Sequence, residues 1–221
     1  MTQGRVTVKV WDMPVRLFHW SIMALMVVSW RSYENGAMEV HRWSGYAILT
    51  LVLFRLLWGV FGSKSARFVR FLGSPAAALA HLRHFARREP DTETTHNAAG
   101  GWMVLVMLAL LAFQAVTGLM ANDDIMFEGP LAATVGKDTS DAATRLHHLN
   151  WTLILCAVGL HVLAVLAYAV LKRVDLVRPM LTGRKRVPAD AGVTAPHLAS
   201  PLRAAGLLAV ACAIVAAVVR L

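Results

Sequence analysis

A chain of 221 residues that is 57% apolar and only 16% Asp, Glu, Lys and Arg is too hydrophobic for an ordinary soluble domain. Its formal charge of +9 does not mark a nucleic-acid binder, because the cations flank apolar runs and form no basic face interleaved with aromatics. There they read as topology signals and contacts to anionic lipid headgroups.

The apolar residues fall into stretches near the length that crosses the hydrocarbon core as a helix. Lipid offers backbone amides no outside partner, so these stretches are expected to be α-helical. The polar start, Met1 to Trp11, lacks the apolar run of a cleaved signal peptide, so the first span is expected to insert uncleaved. That span runs from Pro14 to Ser32, with Asp12 as its N-cap and Pro14 in its first turn. The second runs from Glu39 to Phe61. A short surface helix over Pro75–Arg88 mixes Ala, Leu and Phe with His81, Arg83, His84, Arg87 and Arg88, and is expected to lie on headgroups. The third span runs from Gly100 to Ala121, the fourth from Ala143 to Leu171, and the fifth from Leu202 to Val219 with Pro201 at its start. Cys156 and Cys212 lie inside apolar runs and form neither a C-x-x-C-H haem attachment site nor a zinc pair.

Charge orients the spans. Arg5, Lys9 and Arg16 open the first span, and Lys64, Arg67, Arg70, Arg83, Arg87 and Arg88 follow the second. Lys172, Arg173, Arg178, Arg184, Lys185 and Arg186 follow the fourth. With alternating spans these regions share one side, which the positive-inside rule makes cytoplasmic. The loop after span three holds Asp123, Asp124, Glu128, Asp138 and Asp141 against Lys137, and faces the periplasm. The amino end is then inside, the carboxyl end outside, and the membrane a bacterial inner membrane.

Ionisable side chains are costly within a membrane and point to function there. His19, His41, His161 and one of His147 and His148 lie in or at the ends of spans. Imidazole is an axial ligand of haem iron, and bundles build cofactor sites from facing side chains. At about 100° per residue, His147 and His161 fall about 40° from eclipsed, whereas His148 and His161 differ by roughly 140°. His147 is therefore the better ligand. The rise from His147 to His161 is on the order of 21 Å, enough for two haems at opposite depths. Span direction then pairs His41 with His147 at an outer haem and His19 with His161 at an inner one. Proton pathways and transporters also use intramembrane histidines, but these spans carry almost no carboxylates and no Pro-broken central helices.

The stretches Val10-Trp11-Asp12-Met13-Pro14-Val15-Arg16-Leu17-Phe18-His19-Trp20 and His41-Arg42-Trp43-Ser44-Gly45-Tyr46 carry a wider likeness. So do Arg55-Leu56-Leu57-Trp58-Gly59, His96-Asn97-Ala98-Ala99-Gly100-Gly101-Trp102, Leu146-His147-His148 and Gly159-Leu160-His161. Over residues 6 to 185 the chain resembles the bacterial cytochrome b561 family, which includes the b-type cytochrome subunits of nickel-iron hydrogenases. The resemblance implies an all-α integral membrane fold: a four-helix transmembrane bundle holding two haems b. To this the chain adds a fifth C-terminal transmembrane helix, giving a dihaem domain over 1–185 and a linker with the extra helix over 186–221. It also implies electron transfer between a membrane quinone and a redox partner.

Other residues carry secondary expectations. Haem propionates seek cations near the membrane surfaces: Arg42 and Arg145 outside, and Arg16, Arg55 and Lys172 or Arg173 inside. Lipid contact explains each equally well. Gly45, Gly101, Gly118 and Gly159 could admit a haem face or a neighbouring helix. His148 could bond a propionate or a quinone, and His96 a quinone headgroup. The acidic outer loop suits a basic periplasmic partner such as a c-type cytochrome. Within the family, Asp123-Asp124-Ile125-Met126-Phe127-Glu128-Gly129-Pro130 looks more like members paired with cytochrome c than like hydrogenase subunits. Competing expectations are a superoxide oxidase that reduces quinone, which a basic rather than acidic outer loop would favour, and a membrane cytochrome b subunit of a hydrogenase or formate dehydrogenase. Whether the chain is an enzyme in its own right is left open by its residues.

Overall fold

In the computed structural model, residues 4–85, 96–125, 127–189, 192 and 194–220 are described. Arg87, Arg88 and Met126 lie outside them. Among the described residues, five helices are long and apolar enough to cross a membrane: α1 (Met13–Glu34), α2 (Met38–Phe61), α5 (Ala98–Met120), α7 (Lys137–Ala167) and α9 (Pro201–Val218). Shorter helices are α3 (Phe68–Phe71), α4 (Pro75–Arg83), α6 (Ala132–Val135) and α8 (Val177–Thr182). The class is thus all-α and multi-pass. Large apolar side chains stand exposed on the long helices, including Val27, Val28, Leu160, Leu163, Leu166, Leu208 and Val210. Such surface is a liability in water and the natural face toward lipid.

The five spans match expectation to within a few residues, except that α7 begins six residues early, at Lys137. Those first turns are polar and stand before the apolar part of the helix. Its far end passes into a π-helical turn, Tyr168–Lys172, and stops at Arg173 in the left-handed region. The expected surface helix is present as α4 over Pro75–Arg83, capped by Ser74 and with none of its residues buried.

One element was not expected. Arg5–Lys9 (β1) pairs antiparallel with Arg184–Pro188 (β2), Arg5 opposite Pro188 and Lys9 opposite Arg184. The alternation Val6-Thr7-Val8-Lys9-Val10 explains the strand, with Val8, Val10 and Val187 buried. The N–H groups of Val10 and Trp11 then donate to the Gly183 carbonyl at 2.9 and 3.2 Å. Gly183 sits at φ +76, where a side chain would be strained.

Two compact units make up the chain. The first comprises Met1–Leu17, Leu57–Leu105 and Gly159–Ala204. Its anchor is Asp12, 3% exposed, which caps α1 by accepting the Val15 N–H at 2.8 Å. The other carboxylate oxygen accepts the indole N–H of Trp58, itself wholly buried, at 2.9 Å. A carboxylate also suits the positive end of a helix. In the same unit Gly101 has no room for a side chain, since a Cβ would lie 2.6 Å from the Phe71 carbonyl oxygen.

The second unit comprises Phe18–Leu56, Val106–Val158 and Ala205–Leu221. Ile22, Ile48, Val52, Leu111 and Ile154 form one core, joining α1, α2, α5 and α7. Leu49, Leu119 and Val215 form another, which ties α9 to α2 and α5. The fifth helix therefore packs on its own chain.

Replacing Asp12 tests the anchor. Asp12→Ala removes a cap worth about 1 kcal/mol and, with it, the hydrogen bond accepted from the buried Trp58 indole, about 1 kcal/mol more. A fall of several degrees in the thermal unfolding midpoint in detergent is expected, with Asp12→Asn, whose amide offers one acceptor oxygen to two donors, recovering only part of it. An unchanged midpoint for Asp12→Ala would refute this account.

Candidate functional site

His41 stands in the first turns of α2 and His147 inside α7, both half-buried within the second unit. Their ring centroids are 6.2 Å apart with an interplanar angle of 77°. Each ring is held from behind. The Nδ1–H of His41 donates to the Ser29 carbonyl at 2.9 Å, with the Ser29 hydroxyl at 3.2 Å. The Nδ1–H of His147 donates to the Gln114 carbonyl at 2.9 Å, with the Thr117 hydroxyl at 3.2 Å. A carbonyl can only accept, so Nδ1 carries the proton in both rings and Nε2 keeps its lone pair. This is the orientation that metal-bound imidazoles show, with the second nitrogen bonded to a carbonyl.

The spacing fits the same chemistry. Two metal–nitrogen bonds of about 2 Å, with the half-width of each ring, give a centroid separation on the order of 6 Å. Among the described residues no three His, Cys, Asp or Glu side chains converge as a metal site. A metal between these two rings would need its other ligands from a macrocycle, as in haem. The residues fit that group.

Neighbouring helices shape the pair. The turn between α1 and α2 passes through Gly36 at φ +68, and Ala37 N–H donates to the Ser32 carbonyl at 2.8 Å. On α5, Gly118 packs against His147, where a Cβ would lie 3.0 Å from the ring. Asn150, buried on α7, donates to the Leu110 carbonyl at 2.9 Å and the Gln114 side chain at 2.7 Å. Gly45, one turn beyond His41, faces open space. His148 is exposed, with its ring 5.7 Å from that of Tyr33.

The other candidates are distributed as follows. His19 on α1 belongs to the second unit, half-buried with its ring edge-on to Trp20 at 5.2 Å. His161 on α7 belongs to the first unit and is also half-buried. Arg42 pairs with Glu39 at 2.5 Å, Arg145 is exposed, and Arg55 is buried in α2. Arg16 donates to the Met180 carbonyl at 3.2 Å and to that of Leu181, closing the end of α8. Lys172 lies over the rings of Phe85 and Tyr168 at 5.3 and 5.5 Å. His96 packs between Trp11 at 4.7 Å and Phe71 at 5.0 Å. The Tyr168 hydroxyl joins His81 and Asn97, each at 2.7 Å.

The acidic loop is well built. Asp123 accepts the N–H groups of Ile125 and Phe127 at 3.0 and 2.7 Å, and Lys137 is shared by Asp124 and Asp141. Asn122 bonds Ser140, Asp141 and Thr144, fixing the loop to α7 one to two turns before His147. Ile125, 86% exposed, projects from it. Sequence reading missed Ser29, Gln114, Thr117 and Asn150. Gln114 and Asn150 carried a usable signal, as amides inside apolar spans.

The family model described as prokaryotic cytochrome b561 matches residues 10–183. A relative from Bradyrhizobium diazoefficiens, described as a "Probable Ni/Fe-hydrogenase B-type cytochrome subunit", is 24% identical over 219 residues. That alignment covers 83% of this chain and 87% of the relative. No solved structure matches the chain.

Gly118 provides a test of the pair. Gly118→Val should push the His147 ring from its place and lower haem content. Gly206→Val, in open space on α9, should leave haem content unchanged. Equal haem content in the two variants would show that Gly118 does not seat the ring.

Proposed function

The chain belongs to the prokaryotic cytochrome b561 family, and from that premise we propose that it moves electrons across a bacterial inner membrane through two b haems, between membrane quinone and a periplasmic redox partner. The observation that carries the reading is the His41–His147 pair, with both Nδ1 protons donated to backbone carbonyls. His41 and His147 would hold the outer haem, and His19 and His161 are the residues the sequence offers for the inner one. Bound haem supplies one-electron chemistry, its iron alternating between the ferric and ferrous states. The protein's own part is to fix the imidazoles, exclude water with the Ile22–Val52–Leu111–Ile154 core, and set the depth of each site. Arg42 and Arg145 outside, and Arg16 and Arg55 inside, are the cations offered to propionates. Arg16 and Arg42 share that duty with the partners described above. Residues 1–185 form the haem-carrying domain, and residues 186–221 add the linker and fifth helix.

The pairing of β1 with β2 supports the orientation, since both strands must lie on one side and the segment between them contains four of the five spans. The cations of these strands make that side cytoplasmic. The fifth span then carries the carboxyl end to the periplasm. At the outer face the acidic loop, anchored beside His147, suits the basic surface of a c-type cytochrome. The description of the Bradyrhizobium relative favours a second reading, a membrane cytochrome b subunit for a hydrogenase. Gentle detergent extraction separates the two: a co-purifying iron-sulfur subunit supports the second, and a c-type cytochrome the first.

Pyridine haemochromogen analysis should give two haems b per chain. His147→Ala should lose one of them and His148→Ala neither. A chain without a b-type α-band in the reduced-minus-oxidised spectrum would end the proposal.

A further inference from the structure

The carbonyls behind the two rings are not left to the histidines alone. Ser32, 7% exposed, donates its hydroxyl proton to the Ser29 carbonyl at 2.9 Å, the same oxygen that takes the His41 Nδ1–H. Thr117, 3% exposed, lies 2.8 Å from the Phe113 carbonyl, 3.1 Å from that of Gln114 and 3.2 Å from His147 Nδ1. A buried hydroxyl in a helix usually bonds back to its own turn. Here both hydroxyls do so at the turn that receives a histidine proton.

We propose that Ser32 and Thr117 are positioning residues that tune, with opposite signs, how strongly His41 and His147 donate to a shared iron. The inference rests on the axial-ligand reading of that pair. Ser32 competes with His41 for the lone pairs of one carbonyl. It weakens the Nδ1–H bond and leaves the imidazole less basic. Thr117 acts the other way. Its single proton goes to the nearer Phe113 carbonyl, so an oxygen lone pair is left toward His147 Nδ1–H as a second acceptor. That added acceptor makes the imidazole more basic. A more basic ligand favours ferric iron and lowers the potential.

Full-length protein purified with its haem complement, titrated potentiometrically and followed at the b-type α-band, tests this. Ser32→Ala should lower one of the two midpoint potentials, and Thr117→Val should raise that same one. The other midpoint should stay fixed in both, and the double variant should fall between. Thr117→Ser keeps the hydroxyl and should keep the wild-type potential. A shift in Thr117→Ser as large as in Thr117→Val would assign the effect to the lost methyl group and overturn the proposal. So would unmoved potentials, or shifts of the same sign in the two single variants. His147→Ala separates the layers. Full haem content in that variant defeats the ligand reading itself. Loss of one haem there, with silent Ser32→Ala and Thr117→Val variants, defeats the tuning alone.

Discussion

An imidazole within a membrane has an N–H that must be given to something, since no water is there to take it. In His41 and His147 that proton goes to backbone carbonyls, and this single commitment fixes which nitrogen remains available. It also fixes where each ring points, because the carbonyl belongs to another helix and cannot swing. Ser29 ties α1 to α2, and Gln114 ties α5 to α7. The helices bring the histidines together, and the histidines in turn hold the helices in register.

Around this pair the second unit is built from ordinary apolar packing joined by a few polar contacts. Asn150 shows why such contacts are affordable: a buried amide is costly unless every donor is answered, and its donors reach a carbonyl and a second amide. The first unit depends on a different device. Asp12 caps one helix and receives the Trp58 indole from another, and the residues just before it, Val10 and Trp11, bond the Gly183 carbonyl. The family assignment reaches into both units, so the membrane cytochrome reading concerns most of the chain.

The spans were readable because lipid imposes a length and a composition that no other constraint overrides. Helix starts were readable where capping chemistry is local, as at Asp12 and Ser74. The strands were not, since Arg5–Lys9 is short and its partner lies almost the full chain away, a pairing that no local pattern reports. The early start of α7 was missed because its polar first turns stand outside the hydrophobic window. At the site, imidazole spacing on a helix could be reasoned from angles alone. The carbonyls of Ser29 and Gln114 could not, because every residue has one and only the packing of helices selects which is used. Gly101 and Gly118 fill close contacts while Gly45 faces open space, a distinction invisible to residue type.

The strand pair sets an order on assembly. Arg5–Lys9 leaves the ribosome first, yet its partner is made only after the fourth long helix has been synthesised. The amino-terminal segment must therefore wait at the membrane surface, a strand with open edges, while the helices between are inserted. Its pairing closes at a late stage of biogenesis, so a chain stalled before residue 184 would leave Arg5–Lys9 without its partner strand.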